Sequence, residues 1–123
     1  MNSFKFFGTI TALITPFQKD GSIDVGTYEK FIDWQIVNGV DGIAPTASTG
    51  EAATMELSEY EIALKTAVKV DKKRVPVIAG ASHNNTKKAV ELSKIAKKAG
   101  VDALLHTNPY YNKPTLSGLN CSF

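Results

Sequence analysis

Apolar and polar positions along the chain switch repeatedly between a short run and a helical period. Gly8 to Thr15 (GTITALIT) is β-branched and bounded by Gly8 and Pro16, which predicts a strand. Asp24 to Asn38 places Tyr28, Phe31, Ile32 and Ile36 at helical spacing, with Asp24 able to cap the start and Gly39 able to end it in a left-handed turn. Gly42 to Ala44 predicts a short buried strand. Ser58 with Glu61 three residues later reads as a capping box, in which each side chain satisfies a free backbone amide. It opens a helix through about Val70, with Ile62, Leu64 and Val68 expected to face inward. Val75 to Gly80 (VPVIAG) predicts a third strand whose unbroken apolar run suggests burial on both faces. Asn85 or Thr86 opens a third helix that stops at Gly100, and Val101 to His106 predicts a fourth strand. A Pro- and Tyr-rich loop, Asn108 to Pro114, and a short tail follow.

The order is therefore βαβαβαβ, with a shortened last helix. Such alternation means parallel strands joined by helical crossovers. Two architectures fit. A doubly wound open sheet needs no more chain than this. A (β/α)8 barrel typically needs about 250 residues, and this chain has 123. There is no repeat of solenoid period, linker or low-complexity segment, so 1–123 is read as one unit.

Composition narrows the picture by exclusion. Hydrophobic residues are 43% and charged residues 21%, the balance of a folded, soluble domain. Fourteen Lys and Arg against twelve Asp and Glu leave +2, which gives no reason to expect a nucleic-acid partner. The single cysteine, Cys121, excludes an internal disulfide and a multi-cysteine zinc site. No apolar run is long enough to span a membrane, and Met1 to Phe7 does not read as a leader, so the expected location is cytoplasmic.

Parallel α/β folds bind ligands beyond the C-terminal ends of their strands. Three loops there offer chemistry. Thr46-Ala47-Ser48-Thr49-Gly50-Glu51 places adjacent hydroxyls on a glycine turn, a donor set for a small carboxylate or phosphate, or simply a Ser/Thr turn. It lacks the Gly-Lys-Ser/Thr ending of a phosphate-binding P-loop. Asn108 to Pro114 carries Tyr110 and Tyr111, a pair that either moves protons or packs against a partner. Gly80 to Thr86 contains His83, a general-base candidate with no carboxylate near it in sequence. His106 is expected to fill space at the end of strand four. Cys121 has no visible activating partner. The five lysines from Lys87 to Lys98 read as a solvated helix face.

Together these motifs resemble the first half of the 4-hydroxy-tetrahydrodipicolinate synthases (dihydrodipicolinate synthases). The resemblance runs through Gly8 to Phe17, Phe31 to Gln35, Ser48-Thr49-Gly50-Glu51, Val75 to Gly80 and Asn108 to Thr115, and it reaches about Leu119. It implies the first four βα units of a (β/α)8 (TIM) barrel, an α/β fold that is truncated here. It also implies a class I lyase, in which a lysine forms a Schiff base with pyruvate and the enamine attacks aspartate semialdehyde on the route to lysine and diaminopimelate. No metal or organic cofactor is implied.

The resemblance assigns proton relay to Ser48, where the family has threonine, and pyruvate-carboxylate binding to Thr49 beside it. It assigns Tyr111 to a neighbouring subunit's site, with Tyr110 as its packing neighbour. Hydroxyls suit such work because they donate and accept without carrying charge. Ala47 departs from the family's glycine and stands where it would crowd the carboxylate, and the tail 119–123 drifts from the family pattern. The Schiff-base lysine, the second relay tyrosine and the semialdehyde-binding arginine belong to later strands. No lysine lies in the four predicted strands, and Lys113 is the nearest replacement amine. The expectation is a chain inactive alone, which self-associates or pairs with a complementary half barrel. An N-acetylneuraminate lyase-like aldolase, favoured by the Ser-Thr-Gly-Glu spelling, and a non-catalytic remnant are the alternatives.

Overall fold

Four short strands and four helices alternate in the computed structural model, which describes residues 6–122. Met1 to Lys5, where most of the leader reading falls, and Phe123 lie outside the described residues. The elements are β1 (Ile10–Ala12), α1 (Val25–Val37), β2 (Gly42–Ala44), α2 (Leu57–Asp71), β3 (Ile78–Gly80), α3 (Thr86–Ala99), β4 (Ala103–Leu105) and α4 (Leu116–Ser122). Two 3₁₀ turns, Ser48–Gly50 and Ala52–Thr54, fill the connection from β2 to α2.

All the strand pairings are parallel. β1 pairs with β2 with Thr11 opposite Ile43, and β3 pairs with β4 with Ala79 opposite Leu104. A single parallel bridge, Ile43 to Val77, joins the two pairs, so the strands run β1-β2-β3-β4. The strands are shorter than their apolar runs suggest. Pairing continues past them only as single bonds, such as Leu13 N to the Ala44 carbonyl at 3.1 Å.

Two caps form as the sequence predicts. The Asp24 carboxylate accepts from Thr27 N at 3.0 Å, and Gly100 ends α3 at φ +91°. The start of α2 does not. The helix begins one residue before Ser58, and it is Glu59 that reaches back to Glu56 N at 2.9 Å. Ser58 and Glu61 are inside the helix, where Glu61 pairs with Lys65 at 2.7 Å. The same i to i+3 spacing occurs two residues earlier, and the geometry selects that pair. Ile62 points outward, because two residues from Leu64 is about 200° around the helix, and Tyr60, Ala63, Leu64 and Ala67 form the buried face of α2.

One cluster, built from Leu13, Tyr28, Ile32, Ile43, Ala63, Ala67 and Val77, locks α1 and α2 onto β1–β3. A second, Tyr60, Leu64, Ala79 and Ala96, docks α3. The helices cover one face of the sheet only. On the other, Ile14 and Leu105 remain 51% and 46% exposed. Alternation puts Ile10, Ala12 and Ile14 on this face because Leu13 between them enters the core.

Asp71 closes α2 and starts the turn into β3. It is 2% exposed, and its carboxylate accepts from Lys73 N at 2.8 Å and Val75 N at 3.0 Å. These bonds hold Lys72 and Lys73 in left-handed backbone, at φ +51° and +66°. Replacing Asp71 by alanine orphans two amides and should cost about 1–3 kcal/mol at neutral pH, read by urea unfolding. Burial raises the Asp71 carboxyl above its ordinary value, more than its amide donors lower it. Protonation therefore favours the folded state. The wild-type margin over Asp71→Ala should widen as pH falls from the raised folded pKa toward 3.8, then hold constant.

Candidate functional site

The loops after β2, β3 and β4 meet at the C-terminal ends of the strands. Thr46 organises them. It is 1% exposed and adopts φ +54°, a conformation that β-branched residues rarely take. Its hydroxyl donates to the Gly80 carbonyl at 3.1 Å, and Gly80 N donates to the Pro45 carbonyl at 3.0 Å. The Tyr60 hydroxyl, from α2, donates to the same Gly80 carbonyl at 2.9 Å. Burial pushes the Tyr60 phenol up to about 12, with a smaller opposing pull from Thr46, so it remains a neutral donor through the physiological range.

Gly80 has to be glycine. A Cβ there would collide with the Thr46 carbonyl and stand 2.8 Å from Ala47 Cα. The bend at Thr46 sends the chain across the strand ends, where Ser48-Thr49-Gly50 form a 3₁₀ turn. The far end of the turn is fixed by Thr15, whose hydroxyl donates to the Gly50 carbonyl at 2.8 Å. Ala47 is extended, at φ −89°, so its methyl adds no backbone strain.

A cleft of about 220 Å³ opens beside this turn. Its polar lining is Thr46, Ser48, Glu51, Ser82, Thr107 and Tyr110; its apolar lining is mainly alanine with Leu105. Ser82 ties two loops together, because its Oγ accepts from Thr107 N at 2.8 Å. Of the residues the sequence singles out, Ser48 lines the cleft. Thr49 is exposed on the same turn but is not part of the lining. Tyr110 lines the cleft, whereas Tyr111 is 93% exposed at φ +69° and stands away from it.

The remaining candidates are placed elsewhere. The His83 Nδ1 accepts from Asn85 N at 2.9 Å, and its ring lies 6.4 Å from that of Tyr110. His106 sits 3.3 Å from Ser93 Oγ on α3, behind the strand. Lys113 is exposed at φ +42°, and Cys121 is exposed on α4. Among the described residues no cluster of His, Cys, Asp or Glu could hold a metal ion. Nor, among the described residues, is any helix long and apolar enough to cross a membrane. Sequence reasoning did not single out Ser82 and Thr107. Their signal is positional: each lies two residues past the end of a parallel strand.

Parallel strands with helical crossovers, wrapped on one side only and carrying their cleft at the strand ends, are half of a (β/α)8 barrel that is not closed. The chain belongs to the dihydrodipicolinate synthetase family, whose pattern it matches over residues 5–123. It is 55% identical over 118 residues to the 4-hydroxy-tetrahydrodipicolinate synthase of Maridesulfovibrio salexigens, covering 96% of this chain and 40% of that protein. The Bartonella bacilliformis synthase is 49% identical over 116 residues, covering 94% and 40%. The Aquifex aeolicus dihydrodipicolinate synthase superposes with a TM-score of 0.91 at 42% identity, over 95% of this chain and 40% of that one. The chloride-inhibited enzyme of Acinetobacter baumannii, solved with pyruvate, gives 0.91 at 43% identity, over 94% and 40%. The chain thus spans about 40% of the length of the relatives it matches.

Gly80→Ala tests the contact beneath the cleft. The added methyl meets backbone, which cannot swing aside, so the substitution should cost about 1–3 kcal/mol in chemical denaturation. Ala79→Gly next to it loses one buried methyl and adds backbone freedom to the unfolded chain, about 1–2 kcal/mol together, but displaces no backbone.

Proposed function

We propose that this chain supplies the pyruvate-holding half of a class I lyase site that condenses pyruvate with aspartate semialdehyde. The observation that carries the reading is the Ser48-Thr49-Gly50 turn, anchored by Thr46 and Thr15 at the mouth of the strand-end cleft. In this reading the Thr49 hydroxyl and amide hold the pyruvate carboxylate. Ser48 passes protons, a role open to a group that both donates and accepts. Tyr111, on left-handed backbone and almost fully exposed, completes the relay in a neighbouring subunit.

The amine that forms the imine comes from the barrel strands not represented in these residues. None of β1–β4 contains a lysine, and Lys113 is exposed on the loop after β4, away from the cleft lining. The synthase names of the relatives and the Asn108–Pro114 loop favour aspartate semialdehyde over the sugar-derived aldehyde of the N-acetylneuraminate lyase alternative.

Pyruvate titrated into the labelled chain should shift the amide signals of Ser48, Thr49 and Gly50. Thr49→Val, which removes one hydroxyl donor, should weaken that binding about fivefold. Borohydride added with pyruvate should leave the 123-residue chain unmodified, and should trap an adduct only when the remaining strands of a relative are supplied. An adduct on Lys113 sinks the assignment of the amine.

The uncovered face with Ile10, Ile14 and Leu105 is the surface on which the other strands of the barrel would close. The isolated chain should therefore elute from gel filtration larger than a monomer. Complementation by the second half of a relative should reduce this. A stable monomer contradicts the proposed pairing.

A further inference from the structure

We propose that Tyr60 is a positioning residue for the hydroxyl turn: from α2 it clamps the Gly80 carbonyl on which the left-handed Thr46 rests, and so sets the direction in which Ser48 and Thr49 are presented. The Gly80 carbonyl accepts from both Tyr60 at 2.9 Å and Thr46 at 3.1 Å, which uses both of its lone pairs. A β-branched residue stays at positive φ only where its surroundings over-determine it. Here they do so from three sides. Tyr60 holds the carbonyl, Gly80 N holds Pro45, and the bare Gly80 Cα lets the Thr46–Ala47 backbone lie against the strand.

Tyr60 is not among the residues lining the cleft described above; it lines the adjoining one, which shares Gly80, Ser82 and Tyr110 with it. Its phenol is buried in the cluster that docks α3. A phenylalanine would fill that cluster equally well. The hydroxyl is therefore the part of the side chain with no packing purpose, and its polar partners, the Gly80 carbonyl and the Thr46 side chain, both belong to the bend. The bond connects the packing of α2 and α3 to the geometry of the turn, across 14 residues of chain.

The test is Tyr60→Phe in the full chain, alone and combined with Thr46→Gly. Hydrogen exchange of the Gly50, Glu51 and Ala52 amides, which donate to the Ala47 and Ser48 carbonyls, is the primary readout and requires no ligand. Loss of the clamp should speed exchange there about fivefold, the worth of one hydrogen bond, while the α3 amides Leu92 to Ala96 keep their wild-type rates. Thr46→Gly accepts φ +54° without strain. In the Tyr60→Phe background it should return turn exchange toward the single Thr46→Gly value, instead of adding to the damage. If exchange rises equally in the turn and in α3, Tyr60 serves only the core and the proposal fails. Unchanged turn exchange in Tyr60→Phe also overturns it.

Pyruvate affinity is the second readout, and it rests on the function proposed above. It should fall in parallel with turn exchange. If wild-type chain binds no pyruvate while the exchange results hold, the functional reading fails and the clamp stands.

Discussion

The contact between the Gly80 backbone and the bend at Thr46 is the constraint from which the functional end of this molecule follows. Besides the packing of Ile43 on Val77, β2 and β3 are joined by one parallel bridge, made through Ile43 N and the Pro76 carbonyl, and by the bond from Gly80 N to the Pro45 carbonyl. Because residue 80 has no side chain, the chain leaving β2 can fold down onto β3 instead of passing over it. That close approach creates both the sharp bend and the room beside it. A side chain at 80 would fill the space the bend occupies, and the loop carrying Ser48 would have to lift away.

The rest of the structure makes that contact rigid. Apolar burial supplies the stiffness: Leu13, Ile32, Ile43 and Val77 are fully or almost fully buried between sheet and helices. The ion pairs that α1 makes with α2, Glu29 to Lys69, and with the turn after α2, Asp33 to Arg74, at 2.8 Å each, lie largely in solvent and add little beyond alignment. Stability and chemistry are thereby assigned to different ends of the strands. The helical layer and Asp71 fix the body, while the loops after β2, β3 and β4 remain free to carry polar groups. Tyr60 crosses that division, with its ring in the core and its hydroxyl under the loop.

Much of this was legible in the sequence, for local reasons. Asp24 and Gly100 mark helix ends through chemistry that needs no distant partner. The alternation of apolar runs with helical periods gives the element order. Ser48 and Thr49 stand out because two hydroxyls before a glycine are an unusual donor set. The misread start of α2 has an equally local cause: Ser58 and Glu61 have the preferred residue types, but Glu56 and Glu59 have the same spacing and the right place in the chain. Ile62 has a separate cause: it is two residues from Leu64, so helical spacing puts the two on opposite faces. Thr46 was not legible at all. Its left-handed backbone contradicts its own preference and is imposed by Gly80 and Tyr60, which are distant in sequence. Ser82 and Thr107 become partners only once β3 and β4 are side by side.

The lining of the cleft has an electrostatic consequence. Among its described residues are hydroxyls, alanines and one carboxylate, Glu51, but no lysine, arginine or histidine. Under the function proposed above, a small acid resting there is held by dipoles, against the field of a like charge. Counter-ions in solution weaken attraction between opposite charges but barely touch short hydrogen bonds, and they mask the repulsion from Glu51. Occupancy of this half of the site should thus survive high ionic strength, or even gain from it, in contrast to anion sites built on a cationic side chain.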